Sequence, residues 1–380
     1  MNATDGVIEF LQALVRAESL SGAEHETARL VEAQLTALGF EAVRCDRLGN
    51  VIARRSGSQP GARVLFDAHM DVVPVTSPAE WQRAPFGGEV SAGRVWGRGA
   101  ADTKASLAAM LYALASLPVE QLRGELYFCA SVGEEVLEGA GLSAVLDAVQ
   151  PDLVIIGEPT DCRLGIAQRG RARLAFSARG VAAHSSSPDQ SGNAVYLAAG
   201  LVERIRRMPL PTHPQVGSGL MAAIQIQSQP FPSLSTQPYL CEVIYDRRLV
   251  PGETAASILA EYARGLSDLP DWDARLDEAG YTTWTGVPLR QPDFHPAWAL
   301  PPDHPAVRRA VAALESAGIP AESFTAPYCT NGSASGGECG IPTLIFGPGS
   351  ITQAHAVDES IPVEEVLRGM HAYAALARGL

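Results

Sequence analysis

The chain has 380 residues, 46% of them hydrophobic, and a formal net charge of −13 at pH 7. This length exceeds a single domain of ordinary size, so we expect two domains and a large apolar core. The acidic balance excludes nucleic acid and an anionic membrane surface as partners, because both need a basic binding surface. Small molecules are therefore the expected partners.

Cysteine usage and the apolar stretches indicate a cytoplasmic protein with no membrane partner. The six cysteines are scattered and show no C-x-x-C spacing, which is typical of free thiols in a reducing compartment. The N-terminal stretch MNATDGVIEFLQALVRAESL carries acids where a secretory signal needs basic residues. The longest apolar stretch, ASLAAMLYALASL from Ala105, is shorter than the roughly 20 residues of a membrane span. It is predicted to be a buried helix.

A helix is predicted after Ser21. Ser21 and Glu24 have the spacing of a capping box, and Gly39 is a stop signal. Between these signals, apolar residues recur at the spacing of one helical face: Ala28, Val31, Leu35 and Leu38.

The strand patterns divide the chain into two kinds of sheet. The runs RVLFDAHMDVV, ELYFCASV, DLVIIGEP and PTLIFGPG are separated by helical patterns, which predicts an α/β core with a mainly parallel sheet. The runs RARLAFSARG, MAAIQIQSQ and YLCEVIYDRRL alternate apolar and polar residues, as antiparallel strands with one solvated face do. We therefore expect a smaller α+β domain inserted into the first, with its exit in the Pro-rich stretch 287–306.

Acids and histidines collect where the predicted parallel strands end. In chain order they are His69, Asp71, Asp102, Glu134, Glu135, Glu158 and His355. Because the carboxyl ends of parallel strands meet at one edge of a sheet, these side chains are expected to converge. Each one alone has an ordinary alternative role, as a helix cap, a solvated loop residue or a hydrogen-bonded core group. Their shared position favours a common site.

The chemistry of this set favours metal ions. Histidine and carboxylate ligands without cysteine suit Zn, Co or Mn in a catalytic site better than a structural zinc site. The number of ligands indicates two ions, bridged by Asp102 and each bound by one histidine. Of two adjacent glutamates, one would bind metal and the other would accept a proton from water.

Seven motifs stand in the order seen in a known enzyme family: HMD, GRGAADTKA, GEE, IGEPTD, VAAHSSSPDQSGNA, DRRLVPGE and GPGSITQAHAVDE. In these motifs the chain resembles the dinuclear zinc metallopeptidases that include acetylornithine deacetylase, succinyl-diaminopimelate desuccinylase, aminoacylase and glutamate carboxypeptidase. GPGSITQAH and WQRAPFGG are most similar to acetylornithine deacetylases. The resemblance implies a zinc-exopeptidase-like catalytic domain, residues 1–170 and 292–380, with a mixed, mainly parallel sheet between helices. It also implies that residues 171–291 form a ferredoxin-like α+β lid through which the protein forms a homodimer.

The resemblance further implies which residues bind the ions. His69 and Glu158 would bind one zinc ion, Glu135 and His355 would bind the other, and Asp102 would bridge them. Family members also tend to have a cis peptide after the bridging aspartate, here between Asp102 and Thr103.

Roles in catalysis and substrate binding are implied in the same way. Glu134 would be the general base that takes a proton from a zinc-bridging water, and Asp71 would orient His69. His184 would stabilise the oxyanion, and Arg247 would bind a substrate carboxylate. The loop CTNGSASGG would contribute further substrate contacts through Asn331 and Ser333.

We therefore expect a zinc-dependent amidohydrolase that removes the acyl group, an acetyl group, from an N-acyl amino acid of the acetylornithine type, with Co or Mn able to substitute. Two alternatives remain open. The same site could serve a dipeptidase, a carboxypeptidase or an N-succinyl-diaminopimelate desuccinylase. A different class would be a non-catalytic metal- or ligand-binding dimer, although a free base such as Glu134 has no use in a pure binding site.

Overall fold

The computed structural model describes residues 3–187 and 192–380. The chain folds into two compact units: Met1–Gln168, Gly280–Arg290 and Ala299–Leu380 form the first, and Arg169–Ala279 and Gln291–Trp298 form the second. The domain predicted at 171–291 overlaps the second unit except at residues 280–290. That segment packs with the first unit, because the Trp284 indole donates a hydrogen bond to the Gly49 carbonyl (3.3 Å) and the Thr285 hydroxyl donates one to the Arg47 carbonyl (2.9 Å).

The two units together contain the following helices and strands. In chain order the α-helices are α1 (Ala3–Arg16), α2 (His25–Ala37), α3 (Lys104–Ala115), α4 (Ala140–Val149), α5 (Ala194–Arg207), α6 (Ala255–Gly265), α7 (Pro305–Ser316) and α8 (Val363–Gly379). The strands are β1 (Glu41–Cys45), β2 (Val51–Ser56), β3 (Gln59–His69), β4 (Glu89–Ser91), β5 (Arg94–Trp96), β6 (Arg123–Ser131), β7 (Leu153–Ile156), β8 (Leu164–Gln168), β9 (Gly170–Arg179), β10 (Thr212–His213), β11 (Gly217–Ser218), β12 (Leu220–Gln229), β13 (Leu240–Leu249), β14 (Trp272–Leu276), β15 (Glu278–Thr282), β16 (Pro288–Pro292), β17 (Phe294–His295), β18 (Trp298–Ala299), β19 (Ser323–Ala326), β20 (Thr343–Ile345) and β21 (Ser360–Pro362).

The main sheet of the first unit has a parallel centre, which confirms the predicted fold class. Seven of its strands follow the order β1-β2-β6-β3-β7-β20-β8, and β19 runs parallel to β8. Strand β3 runs parallel to β6 and β7, and β20 runs parallel to β7, whereas β1, β2 and β8 pair antiparallel with their neighbours in this order. From Phe66 to His69 every side chain of β3 is buried, so the sheet is covered on both faces at its centre.

The predicted buried helix is α3, which packs against β3, β6 and α8. Its side chains from Lys104 to Leu111 are buried. Among the residues that the structure describes, no helix is both long and apolar enough to span a bilayer. The six cysteines are free thiols.

Helix α2 confirms the apolar spacing predicted after Ser21 and contradicts the predicted cap. Ala28, Val31 and Leu35 are buried along one face. The helix begins at His25, and the side chain of its N-cap residue, Glu24, makes no capping hydrogen bond. The capping box was therefore a wrong interpretation of Ser21 and Glu24, because both side chains bond to other parts of the chain.

The second unit has the predicted antiparallel sheet, in the order β12-β13-β9-β14. The elements follow one another as β9-α5-β12-β13-α6-β14, which together with this strand order is the ferredoxin-like arrangement. The covered face of the sheet packs on α5 and α6. There Phe176 makes edge-to-face contacts with Tyr245 and Tyr262, whose ring centroids lie 5.4 Å and 4.8 Å away.

Candidate metal centre and active site

The candidate site lies at the carboxyl ends of β3, β6, β7 and β20. His69 is the last residue of β3. Glu134 and Glu135 follow β6, Glu158 follows β7, and His355 lies in the segment between β20 and α8. Because these strands run parallel, their ends bring the side chains to one edge of the sheet, as the sequence predicted.

Asp102 lies between the two histidines. Its Oδ1 is 3.4 Å from Nε2 of His69, and its Oδ2 is 3.5 Å from Nε2 of His355. A carboxylate that turns a separate oxygen towards each of two imidazoles has the arrangement of a bridging ligand. The Asp102–Thr103 peptide is cis, as the resemblance implied.

Each histidine also faces a glutamate. Oε2 of Glu135 is 3.1 Å from Nε2 of His355, and Oε1 of Glu158 is 4.0 Å from Nε2 of His69. His69, Asp102 and Glu135 each offer one ligand atom within 4.8 Å of the others. Polar atoms this close to one another could bind divalent ions placed between them.

The site concentrates acidic groups away from water. Burial raises the pKa of Glu134 and of Glu158 well above the usual value. Burial, reinforced by Asp102, raises the pKa of Glu135 to about 7. A cluster of buried carboxylates is costly without compensating positive charge, so these residues fit a site for divalent cations.

The neighbouring carboxylates raise the pKa values of the two histidines. Burial by itself would lower the pKa of His69, but the nearby carboxylates of Asp102 and Asp71 outweigh it and hold that pKa well above its usual value. The hydrogen bond to Glu135 raises the pKa of His355. Both imidazoles therefore lie where a positive charge is favoured.

Asp71 supports the site through its backbone and its side chain. Nδ1 of His69 donates to the backbone carbonyl of Asp71 at 2.9 Å, whereas Oδ1 of Asp71 is 3.6 Å away. The closer contact therefore comes from the carbonyl, and it leaves Nε2 of His69 to face Asp102. The Asp71 carboxylate instead accepts hydrogen bonds from the backbone N–H groups of Glu134 and Glu135, each at 3.1 Å.

Glu134 lies beside the metal-ligand cluster and is 6% exposed. Its Oε2 is 3.9 Å from Nε2 of His69. The cluster of three possible ligands found among the described residues, His69, Asp102 and Glu135, contains neither Glu134 nor Glu158 nor His355. The separate tasks expected of Glu134 and Glu135 therefore stay a prediction.

A buried ion pair behind Asp102 was missed from the sequence. Glu359 accepts hydrogen bonds from the backbone N–H groups of Ala101 and Asp102 (2.8 and 3.0 Å) and pairs with Arg98 at 2.7 Å. Arg98 also donates to the carbonyl of His355 at 3.3 Å. Arg98 and Glu359 lie in the motifs GRGAADTKA and GPGSITQAHAVDE, which carry the family resemblance. Their place in these motifs was the feature of the sequence that could have identified them.

His184 is exposed in the second unit. Its Nδ1 accepts a hydrogen bond from the backbone N–H of Ser186 at 3.1 Å, so Nε2 is the ring nitrogen left for a ligand. The role expected of His184 stays a prediction.

The structure does not fit the substrate contact predicted for Arg247. The side chain is fully buried, and its guanidinium binds the Tyr262 hydroxyl and the carboxylates of Glu253 and Glu261. Arg248 points to the opposite face of β13, where it is one-third exposed (33%) and pairs with Asp246 at 3.0 Å. Residue spacing could not show which of the two faces the helices cover.

Asn331 and Ser333 are buried as well, each 1% exposed. The Asn331 amide donates to Asp67 and Ser131 and accepts from the backbone N–H of Gly139. These bonds join the loop to the main sheet. The predicted substrate contacts therefore do not fit, and Asn331 has a structural role.

Residues 65–379 match the sequence profile described as Peptidase family M20/M25/M40. YgeY, an uncharacterized protein of Escherichia coli (strain K12), is 29% identical over 378 residues, which cover 97% of this chain and 92% of YgeY. A succinyl-diaminopimelate desuccinylase of Cereibacter sphaeroides (strain KD131) is 32% identical over 259 residues, covering 64% of this chain and 68% of the relative. An acetylornithine deacetylase of Klebsiella pneumoniae (strain 342) is 30% identical over 311 residues, which cover 78% of this chain and 74% of the relative.

Two solved structures share the fold along the whole chain. Aminopeptidase PepT from Bacillus cereus has a TM-score of 0.77 at 19% identity, covering 99% of this chain and 98% of its own. YXEP from Bacillus subtilis, described as a dinuclear metal-binding peptidase of family M20, has a TM-score of 0.73 at 15% identity and the same coverage. Since the profile spans most of the chain, this protein belongs to peptidase family M20/M25/M40 and is a metallohydrolase.

Proposed function

We propose that this protein removes the acyl group from an N-acyl amino acid, with acetyl on an ornithine-type amino acid as the favoured substrate. The observation that carries the proposal is the placement of Asp102 between His69 and His355 with Glu134 beside them. A deacetylase and a desuccinylase, each aligned over most of its length, support an N-acyl amino acid as the substrate class.

We propose zinc as the metal, because imidazole and carboxylate ligands without thiolate suit catalytic zinc and also accept Co or Mn. His69 and Glu158 would hold one ion, Glu135 and His355 the other, and Asp102 both. When bound, such a pair of ions supplies a water of lowered pKa and polarises the amide carbonyl.

Glu134 is the proposed proton carrier. In the proposed reaction it accepts a proton as water attacks the amide carbon, and it returns that proton to the leaving amine as the C–N bond breaks. The products are a carboxylic acid and a free amino acid. Burial raises the pKa of Glu134, whereas the positive charge of bound ions would favour the carboxylate form that accepts the proton.

Two residues of the second unit complete the proposal. His184 would donate a hydrogen bond from Nε2 to the developing oxyanion. Arg248 would take the role first predicted for Arg247, because its guanidinium is partly exposed and suits a bidentate carboxylate contact.

We also propose that the second unit mediates a homodimer. Strand β12 lies at one end of its sheet, and Ile224 and Ile226 on this strand are 55% and 61% exposed. An apolar edge strand pairs readily with another chain, and antiparallel pairing of β12 with its own copy forms a two-fold symmetric interface.

The first experiment is an assay of the zinc-loaded protein on N-acetylornithine, other N-acetyl amino acids, N-succinyl-diaminopimelate and simple dipeptides, with release of free amine as the readout. We expect N-acetyl amino acids to have the highest kcat/KM. Preference for the succinyl substrate or for dipeptides would agree with the proposed hydrolytic mechanism and contradict the proposal of an N-acetyl substrate. No turnover of any substrate by protein with both metals bound would overturn the proposal.

A further inference from the structure

The segment 19–24 makes contacts that a helix cap does not explain. It runs beside residues 70–72, with a parallel bridge between Leu20 and Val72. The Ser19 hydroxyl donates to the carbonyl of Met70 at 2.8 Å, and the Val72 N–H donates to the carbonyl of Ser19 at 2.9 Å. The segment is therefore bonded to the end of β3, next to the first proposed metal ligand.

Ser21 binds the carboxylate that supports the glutamate pair. Its hydroxyl donates to Oδ2 of Asp71 at 2.6 Å. The same oxygen accepts the backbone N–H of Glu135, and Oδ1 of Asp71 accepts that of Glu134. Asp71 is fully buried, so a rotation of its carboxylate would break backbone contacts that hold both glutamates.

Glu24 reaches the same turn from the other side. Its Oε1 accepts the backbone N–H of Gly133 at 3.1 Å, and its side chain is fully buried. Gly133 has φ +70°, and a Cβ there would lie 1.8 Å from the Tyr281 hydroxyl oxygen. The turn that leads into Glu134 is thus enclosed by Glu24 and Tyr281, and only glycine fits at its first residue.

We infer that Ser21 and Glu24 are positioning residues for the metal centre. Together with Asp71 they fix three consecutive backbone N–H groups, from Gly133 to Glu135, and so set where the general base and its metal-binding neighbour stand. Side chains that orient metal ligands affect metal affinity and turnover by about 10–100-fold when they are removed. The catalytic part of this inference rests on the proposed function, whereas the effect on metal binding rests only on the proposed metal ligands.

The contact of Glu24 requires an acceptor oxygen and no negative charge, because its partner is a neutral backbone N–H. Glu24→Gln keeps an amide oxygen at that position, and Glu24→Leu removes it at similar size. The inference therefore predicts rescue by glutamine. A role that depended on charge would make the two variants equally defective.

The test uses the full-length protein loaded with Co(II), which reports ligand geometry through its visible absorption without any substrate. For Glu24→Leu we expect a changed spectrum, Co(II) binding weakened about 10–100-fold, and kcat lowered by a similar factor with KM within about threefold of wild type. Glu24→Gln is expected to stay near wild type in all three. Thr27→Val is the matched control, since Thr27 is equally buried on α2 and its hydroxyl has no hydrogen-bond partner among the described residues.

Ser21→Ala provides a second variant if Glu24→Leu fails to fold, because Ser21 is only half-buried and the truncation is small. It should change the Co(II) spectrum in the same direction with little change in Tm. A wild-type spectrum and Co(II) affinity in both Ser21→Ala and folded Glu24→Leu would overturn the inference, as would equal losses in Thr27→Val. If the wild-type protein hydrolyses no N-acyl amino acid, the proposed function fails, and the Co(II) measurements still decide the positioning role.

Discussion

Glu134 and Glu135 are adjacent in sequence and lie in different surroundings. Glu135 turns its carboxylate to His355 at 3.1 Å, whereas the nearest histidine nitrogen to Glu134 is Nε2 of His69 at 3.9 Å. Both backbone N–H groups bind the Asp71 carboxylate, so the separation of the two side chains is built into the turn. We propose that Glu135 is a metal ligand and that Glu134 is the base.

Replacing Glu134 by Gln should lower kcat by about 10²–10⁴-fold, because the amide has nearly the same size and accepts no proton. The metal content should stay at the wild-type value, which metal analysis of the purified variant measures. Glu120→Gln, at an exposed position, is the control and should keep full activity. Turnover at the wild-type rate by Glu134→Gln would rule out this residue as the base.

At the scale of elements, the site depends on two segments that Arg98 and Glu359 hold together. The first connects β5 to α3 and carries Asp102, and the second leads from His355 into β21. Both members of the pair are buried, with exposures of 1% and 0%. Because Glu359 also accepts the Asp102 N–H, the pair joins the packing of these segments to the position of the proposed bridging ligand.

Arg98→Met should destabilise the protein by about 3–5 kcal/mol, since it leaves the Glu359 carboxylate buried without its partner. Urea unfolding of the metal-free protein measures this change. Arg29→Ala, which removes an exposed pair with Glu26, should leave the unfolding midpoint unchanged. A loss below about 1 kcal/mol in Arg98→Met would show that the pair does not hold these segments.

At the scale of the whole molecule, the sheets of the two units differ in how many of their faces are covered. The central strands of the first unit are buried on both faces, as in β3. The second unit covers one face with α5 and α6 and ends its sheet at β12, whose side chains are mostly exposed. An exposed apolar edge of this kind can pair with another chain, and the proposed homodimer rests on this property.

The proposed homodimer predicts that Ile224→Lys combined with Ile226→Lys converts the protein to a monomer, because like charges would face each other across the two-fold axis. Light scattering coupled to gel filtration would show the mass fall from twice the chain mass to the chain mass. Val90→Lys, at an exposed apolar position on β4, is the control and should remain dimeric. A wild-type protein that elutes as a monomer at micromolar concentration would refute the homodimer.

The sequence by itself determined the architecture and the main candidates of the site. Apolar runs separated by helical patterns predicted the mixed sheet, and the alternating runs predicted the antiparallel unit. Polar residues at strand ends pointed to His69, Glu135 and Glu158 because parallel strands finish at a common edge, a rule that needs no knowledge of packing.

Only the tertiary structure showed which of two possible roles a residue pattern has, and which residues far apart in sequence contact each other. Ser21 and Glu24 have the spacing of a helix cap, yet Glu24 binds the backbone of Gly133, 109 positions further along the chain. Arg247 and Arg248 alternate along one strand, and only the packing of α6 shows that the first is buried. Local spacing determines the direction in which a side chain points, whereas its partner depends on chain segments that only folding brings together.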